Sequence, residues 1–281
     1  MTLPALRSSR LNSVDALRGL TVAAMLVVND AGDWGHVYPW LEHAAWHGCT
    51  PADLIFPFFL LIVGVSLSLA LGPRLEAGAD RRELALALLG RGARIVVLGL
   101  ALHAAAWWLI EGRGFRVPGV LQRIGLCFAA AGLLMLWLRE ARWQWAAWAA
   151  LLLGHGALLV GGGALTPGEN LADRIDSALF GRFAYQFDPA SGRAHDPEGL
   201  LGTLGALATV LLGLRAGDWL RKGRWPRVAV AGVAALAAGA AASLVLPLNK
   251  ALWTPSFVLW SGGFGLLALA FAHALVDRVG A

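Results

Sequence analysis

Between Asn29 and Asp53 the chain reads NDAGDWGHVYPWLEHAAWHGCTPAD, with three histidines in 12 residues and neither Lys nor Arg. A neutral imidazole can accept a proton near physiological pH. A carboxylate such as Asp53 can hold the ring of His43 in one tautomer and stabilise the imidazolium that forms. An amide such as Asn29 can donate to a developing oxyanion. Asn29, His43 and Asp53 are therefore sufficient, as residue types, for acyl transfer. Other chemistries compete for the same residues. His43 and His47 have the i, i+4 spacing of metal ligands on a helix. The run His-Ala-Ala-Trp-His lacks the Glu that follows the first His of a zincin, and the third ligand would have to be Glu42 or Asp53, so no metal is expected. The histidines could equally be interfacial polar groups. His36 and His195 read as solvated loop residues. Cys49 is a conceivable nucleophile, but nothing nearby in sequence marks an activated thiolate. With only two cysteines, Cys49 and Cys127, a structural disulfide is not expected.

The elements that must position these groups follow from composition. Of 281 residues, 58% are hydrophobic and 15% charged. Soluble domains run about 45–50% apolar and about 25% charged. This balance excludes disorder and argues against a soluble globular enzyme. The expected fold class is all-α, a polytopic transmembrane helix bundle forming one domain over 1–281. Eight apolar segments fit a span of about 20 residues: 15–31, 53–72, 84–109, 119–138, 143–161, 200–216, 227–246 and 256–276. Their runs are continuous rather than alternating, as helices require and barrel strands do not. The stretch 162–199, with Gly161–Gly163, Pro167, Pro189 and Pro197, reads as an irregular external loop or a small cap. The Gly/Ala-rich segment 231–242 reads as a close helix-packing surface.

Basic residues give the orientation. One set of loops and ends carries Arg7, Arg10, Arg18, Arg74, Arg81, Arg82, Arg139, Arg142, Arg215, Arg221, Lys222, Arg224 and Arg227. The other carries Arg113, Arg116, Arg174, Arg182, Arg193 and Lys250, a 13 to 6 split. The expectation is cytoplasmic N- and C-termini. The net charge of +5 is thus a topology signal, and no nucleic-acid partner is expected. The lipid bilayer is the first partner. A homodimer is allowed.

On this topology the unusual polar residues gather on the outer side: Asn29, Asp33, His43, His47, Asp53, Gln122, Arg123, Asp196, Glu198, Asn249 and Lys250. They come from several loops, as an active site does. The inner side holds mainly Arg and Lys, apart from Asp15 and Arg18, whose spacing suits an ion pair. Asp196 and Glu198 could bind a sugar amine or cap the following helix. Trp34, Trp40, Trp46 and Trp253 could stack on a sugar, although an interfacial belt accounts for most of the 13 tryptophans. There is no GxxxxGK[ST] and no GxGxxG after a strand, so an ATP-driven pump is unsupported.

The runs SVDALRGLTVAAMLVVN and LEHAAWHGCTPADLIFPFFLLIVGVSLSL resemble the heparan-α-glucosaminide N-acetyltransferase family of transmembrane acetyltransferases. Three later runs resemble further blocks of that family in order: RVPGVLQRIG at 116–125, DPEGLLGTLGALATVLLGLRAG at 196–217 and PLNKALWTPSFVLWSGG at 247–263. The resemblance implies an enzyme moving acetyl from cytosolic acetyl-CoA to an amino sugar or glucosaminide on the outer side. It places the active-site histidine on His43 and matches Asn29 and Ala52-Asp53-Leu54 to family positions. Asp53 would orient His43, and Asn29 would hold the oxyanion. Gln122, Arg123, Lys250 or the inner arginines would bind the acetyl-CoA co-substrate. Asp196, Glu198, Asn249, Trp46 and Trp253 would contact the acceptor. Bacterial relatives carry labels of N-acetylglucosamine-related inner-membrane transport proteins, which implies an inner-membrane location. It also keeps an amino-sugar transporter without acyl transfer as the alternative. The family implies further C-terminal spans with a Pro-Phe…Gly-x-Asn block, beyond the last residue, Ala281.

Overall fold

The computed structural model describes residues 11–33 and 35–280. Arg7, Arg10 and Trp34 lie outside the described residues. Among the described residues, eight long helices cover the eight apolar segments: α1 (Asn12–Asn29), α2 (Ile55–Glu76), α3 (Arg81–Leu109), α4 (Val120–Trp137), α5 (Ala141–Gly161), α7 (Gly202–Arg221), α8 (Pro226–Ala242) and α9 (Pro255–Ala272). The chain is an all-α polytopic bundle. Among the described residues, five stretches are long and apolar enough to cross a membrane by length and composition: Pro51–Glu76, Arg81–Leu109, Val120–Trp137, Ala141–Gly161 and Pro255–Val279. The helix Pro226–Ala242 is apolar but shorter.

Helix α2 and helix α7 form the centre. Lipid tails are as apolar as leucine, so helices gain little hydrophobic drive from meeting in a membrane, and close van der Waals approach decides the contact. A Cβ on Gly64 of α2 would overlap the Val210 carbonyl of α7, and one on Gly213 would overlap the Leu61 carbonyl. These two glycines let the backbones touch. In the Gly/Ala-rich α8, Gly232 and Gly239 face Gly263 and Trp260 of α9 in the same way. The outer helices instead leave large apolar side chains uncovered, such as Leu86, Val97, Leu98 and Leu102 on α3. A bilayer would cover that face.

The stretch between α5 and α7 is a small cap. It holds the amphipathic helix α6 (Leu171–Leu179) and the hairpin of β1 (Gln186–Asp188) and β2 (Arg193–His195). The strands are antiparallel, with Phe187 opposite Ala194. Asn170 caps α6 by accepting from the Asp173 N–H at 2.8 Å.

Candidate active site

Thr50-Pro51-Ala52-Asp53 opens α2 through a single 3₁₀ turn. Pro51 suits the first helical position because its missing N–H would have no partner there. Thr50 and Asp53 close a reciprocal capping box. This local turn buries the Asp53 carboxylate, which is 1% exposed. Its Oδ2 accepts from the backbone N–H of Thr50 (3.0 Å) and of Ala44 (3.1 Å). Its Oδ1 lies 2.8 Å from His43 Nδ1. A carboxylate only accepts, so Nδ1 carries the hydrogen and the lone pair of a neutral His43 is on Nε2. The His43 side chain is half exposed.

Lys250 completes the group. Its Nζ lies 3.4 Å from Asp53 Oδ1, 3.1 Å from His43 Nδ1 and 3.4 Å from Nε2. Burial pulls its ammonium below the ordinary lysine range, against the opposing pull of Asp53 and Glu198. The loop Pro247–Thr254 holds it in place. Asn249 Oδ1 accepts from the Leu252 N–H at 2.7 Å, and Thr254 Oγ1 donates to the Pro247 carbonyl at 2.9 Å. Trp253 is the one described non-glycine residue with positive φ, at 52°. Such a conformation costs about 1–2 kcal/mol, offset by these bonds and by full burial of the indole.

Two spaces meet at His43. A cavity of about 420 Å³ lies at the far end of the bundle, but the larger one, about 920 Å³, runs between His43, Lys250, Glu198 and the cap residues Tyr185, Phe187 and His195. A narrow cleft of about 140 Å³ runs between α1 and α2, lined by Met25, Val28, Asn29, Phe56 and Phe59. His43, Val120, Glu198 and Lys250 line both the cleft and the cavity. A proton acceptor therefore stands where a slender acyl donor and a bulky acceptor could meet.

The remaining candidates divide. Glu198 faces the cavity and pairs with Arg116. Asp196 is 2% exposed and fully engaged. It takes Arg116 Nε at 2.9 Å, the Tyr185 N–H at 2.8 Å and the Glu198 N–H at 2.9 Å. Neither acid caps α7, whose N-cap position is Leu201, with no side-chain capping bond. Trp46 lines the cavity, with its Nε1 donating to the Leu165 carbonyl at 2.7 Å. Asn249 is fully buried, with Nδ2 3.3 Å from His47 Nδ1. Trp253 is fully buried against Phe56 and Phe257, with Nε1 donating to Thr209 Oγ1 at 3.2 Å. Arg123, 1% exposed, donates to the Gly199 carbonyl at 2.9 Å and lies over the Trp253 ring. Gln122 donates to the Val117 carbonyl at 3.0 Å. The structure gives these last four side chains interior partners and does not bring them to the cavity.

Some sequence expectations change. His195 is not a solvated loop residue. Its Nδ1 lies 2.6 Å from Asp173 Oδ1, its side chain is 18% exposed, and it lines the cavity with Trp46 packed edge-on. It brings a second carboxylate-bonded histidine to the cavity wall, which sequence reasoning missed because residues 22 apart in an irregular stretch carry no spacing signal. His43 and His47 lie in irregular chain, so their i, i+4 spacing does not put them on one helical face. Burial, then the Asp53 charge, pushes the Cys49 thiol up to about 12, so it is no thiolate nucleophile at neutral pH. His36 is exposed, as expected of a solvated loop residue, and it pairs with Asp33; Arg18 pairs with Asp15 at 2.8 Å, as their spacing suggests.

The fold and the site define a class: a polytopic helical membrane protein with a histidine–carboxylate–lysine group at the mouth of a large cavity. Residues 10–169, more than half of the chain, match the family model for the catalytic region of heparan-alpha-glucosaminide N-acetyltransferase, and the chain belongs to that family. It is 28% identical to the human heparan-alpha-glucosaminide N-acetyltransferase over 330 residues, covering 96% of this chain and 49% of the human protein. It is 27% identical to the mouse protein of the same name over 332 residues, covering 97% of this chain and 50% of the mouse protein. The chain spans about half the length of these curated relatives.

Proposed function

We propose that this protein is a membrane-embedded N-acetyltransferase that moves acetyl from acetyl-CoA to the amine of an amino sugar or glucosaminide. The observation that carries the reading is the position of His43, bonded to Asp53 and standing where the α1–α2 cleft opens into the cavity. The thioester enters through the cleft, past Met25, Val28 and Phe59. The acceptor enters through the cavity beneath the cap.

The amine attacks the thioester carbonyl as His43 Nε2 takes its proton. A positioned base of this kind supplies about 10²–10⁴-fold. Asn29 donates its amide to the oxyanion, a contribution of about 10²–10³-fold for one donor. The tetrahedral intermediate expels the CoA thiolate, and the imidazolium returns the proton to sulfur. Asp53 keeps the ring in the Nδ1–H tautomer and stabilises its charged form. Lys250 adds positive charge beside both. Glu198, Trp46 and the cap residues hold the acceptor.

In this reading all eight long helices cross the membrane, and the basic ends of α2, α4 and α7 face the cytoplasm of a bacterial inner membrane. The positive-inside distribution supports that orientation. Radiolabelled acetyl-CoA with glucosamine or a glucosaminide tests the activity on the purified protein. The expected result is an N-acetylated product, lost in His43→Ala. Uptake of unmodified sugar into proteoliposomes without acetylation would establish the transporter instead.

A further inference from the structure

A further cavity, about 420 Å³, lies at the opposite end of the bundle from His43, between α2, α4, α5 and α7. Six cationic side chains line it, Arg139, Arg215, Arg221, Lys222, Arg224 and Arg227, against two carboxylates, Glu76 and Asp218. Both acids are already used. Asp218 takes Arg215 at 3.1 Å, Arg221 at 3.2 Å and Lys222 at 2.8 Å. Glu76 takes both Arg221 Nη atoms, at 2.7 and 2.8 Å. Among the described residues, Arg139, Arg224 and Arg227 pair with no acid. Three nearly inaccessible polar atoms on the wall also have no protein partner among the described residues: the Ser68 hydroxyl, 0% exposed, Nε of Arg215, 7% exposed, and Nε of Arg221. Unpaired buried donors are costly, so a site that leaves them is one that an anion completes.

The site is separate from the donor cleft. At about 100° per residue, Ser68, Gly72 and Leu75 lie about half a turn around α2 from Phe59. The cleft and this cavity therefore open on opposite faces of that helix. The rest of the lining is amphipathic. Trp145 and Trp219, with ring centroids 6.0 Å apart, and the apolar Leu75, Met135 and Leu214 share the wall with the arginines. Tryptophan beside arginine at the end of apolar helices is the composition of the headgroup layer.

We propose that this cavity binds the phosphate of an anionic phospholipid from the leaflet on the basic side. Arg139, Arg224 and Arg227 hold the phosphodiester, for which the guanidinium offers a two-pronged donor. Leu75, Met135 and Leu214 receive the start of the acyl chains.

Native mass spectrometry of the delipidated full chain, titrated with phosphatidylglycerol or phosphatidylcholine, tests this. Basic side chains near anionic lipid each strengthen binding appreciably, so the expected preference for phosphatidylglycerol is about tenfold or more. R139Q/R224Q/R227Q should abolish that preference. These residues are exposed and unpaired, so the variant should fold. R74Q/R81Q/R82Q removes the same charge from exposed positions outside the cavity and should keep the preference. The proposal is overturned if the first variant retains the preference or if the control loses it equally, which would mean a diffuse basic surface. It is also overturned if millimolar inorganic phosphate displaces the lipid completely, which would mean a site for the free anion.

Discussion

Lys250 and His43 lie 207 residues apart in sequence, yet the lysine Nζ is 3.1 Å from one imidazole nitrogen and 3.4 Å from the other. The same Nζ reaches Asp53 at 3.4 Å. A buried carboxylate flanked by one imidazole and one ammonium has its charge shared between two partners, and the protonation of each depends on the other. Burial already pulls Lys250 down, while Asp53 and Glu198 hold it up. The alkaline limb of the kcat/KM–pH profile should therefore fall below the ordinary lysine pKa. Lys250→Arg keeps the charge to much higher pH and should move that limb upward. Lys250→Met should lower kcat/KM by about tenfold or more, as loss of one charged contact in a dry site does. An unchanged alkaline limb in Lys250→Arg would separate Lys250 from the reaction.

Asp53→Asn should separate orientation from folding. Asparagine can still accept the Thr50 and Ala44 N–H bonds, so the turn into α2 should survive. It presents either a weaker acceptor or an N–H to His43 Nδ1, and the tautomer with its lone pair on Nε2 is no longer favoured. The expected loss in kcat is about 10²–10⁴-fold, with a melting temperature within a few degrees of the parent. A variant that unfolds, or one with full kcat, would contradict the assigned role.

Asp176 gives a pH signature of stability independent of catalysis. It lies in α6, 0% exposed, with Oδ1 accepting the Leu200 N–H at 3.2 Å. Desolvation first, then the charges of Asp196 and Asp173, raises it to about 6, with the Leu200 bond opposing. The folded-state value is above the ordinary 3.8. Its contribution to stability is thus fully present below that value and is lost as pH rises through about 6. Asp176→Asn keeps the Leu200 bond without the ionisable proton. Melting in detergent should show it more stable than the parent above pH 6, by about 1–3 kcal/mol, and no more stable near pH 4. Gly199 packs directly on this carboxylate, where a Cβ would overlap both oxygens, so Gly199→Ala should destabilise at every pH.

The helices were legible because each long apolar run has one economical solution in lipid. The 13 to 6 basic split and the polar clusters were equally open to reading. Thr50-Pro51-Ala52-Asp53 also announces itself, since capping boxes are local. What sequence could not show is which polar residues are used up internally. Arg123 donates to Gly199, Asn249 accepts from its own turn and Trp253 donates to Thr209, and nothing in their spacing separates them from Lys250, which does reach His43. Nor is the cap legible. Arg116 meets Asp196 across 80 residues and His195 meets Asp173 across 22, in chain too short and mixed for any periodicity.

Orientation can be tested with two single cysteines. Cys127 is buried, and Cys49 is half-buried with its thiol held protonated, so neither should react readily with an impermeant reagent at neutral pH. In a Cys49→Ser background, Ser191→Cys places a thiol on the exposed hairpin turn beside the cavity. Ala79→Cys places one on the exposed turn between α2 and α3, at the basic end. If the basic ends face the cytoplasm, intact cells should label at 191 at once and at 79 only after permeabilisation. The reverse pattern would put the His43 cavity in the cytoplasm. It would also place the acetyl donor and the acceptor on the same side of the membrane, which removes the reason for a transmembrane site joined by a narrow cleft.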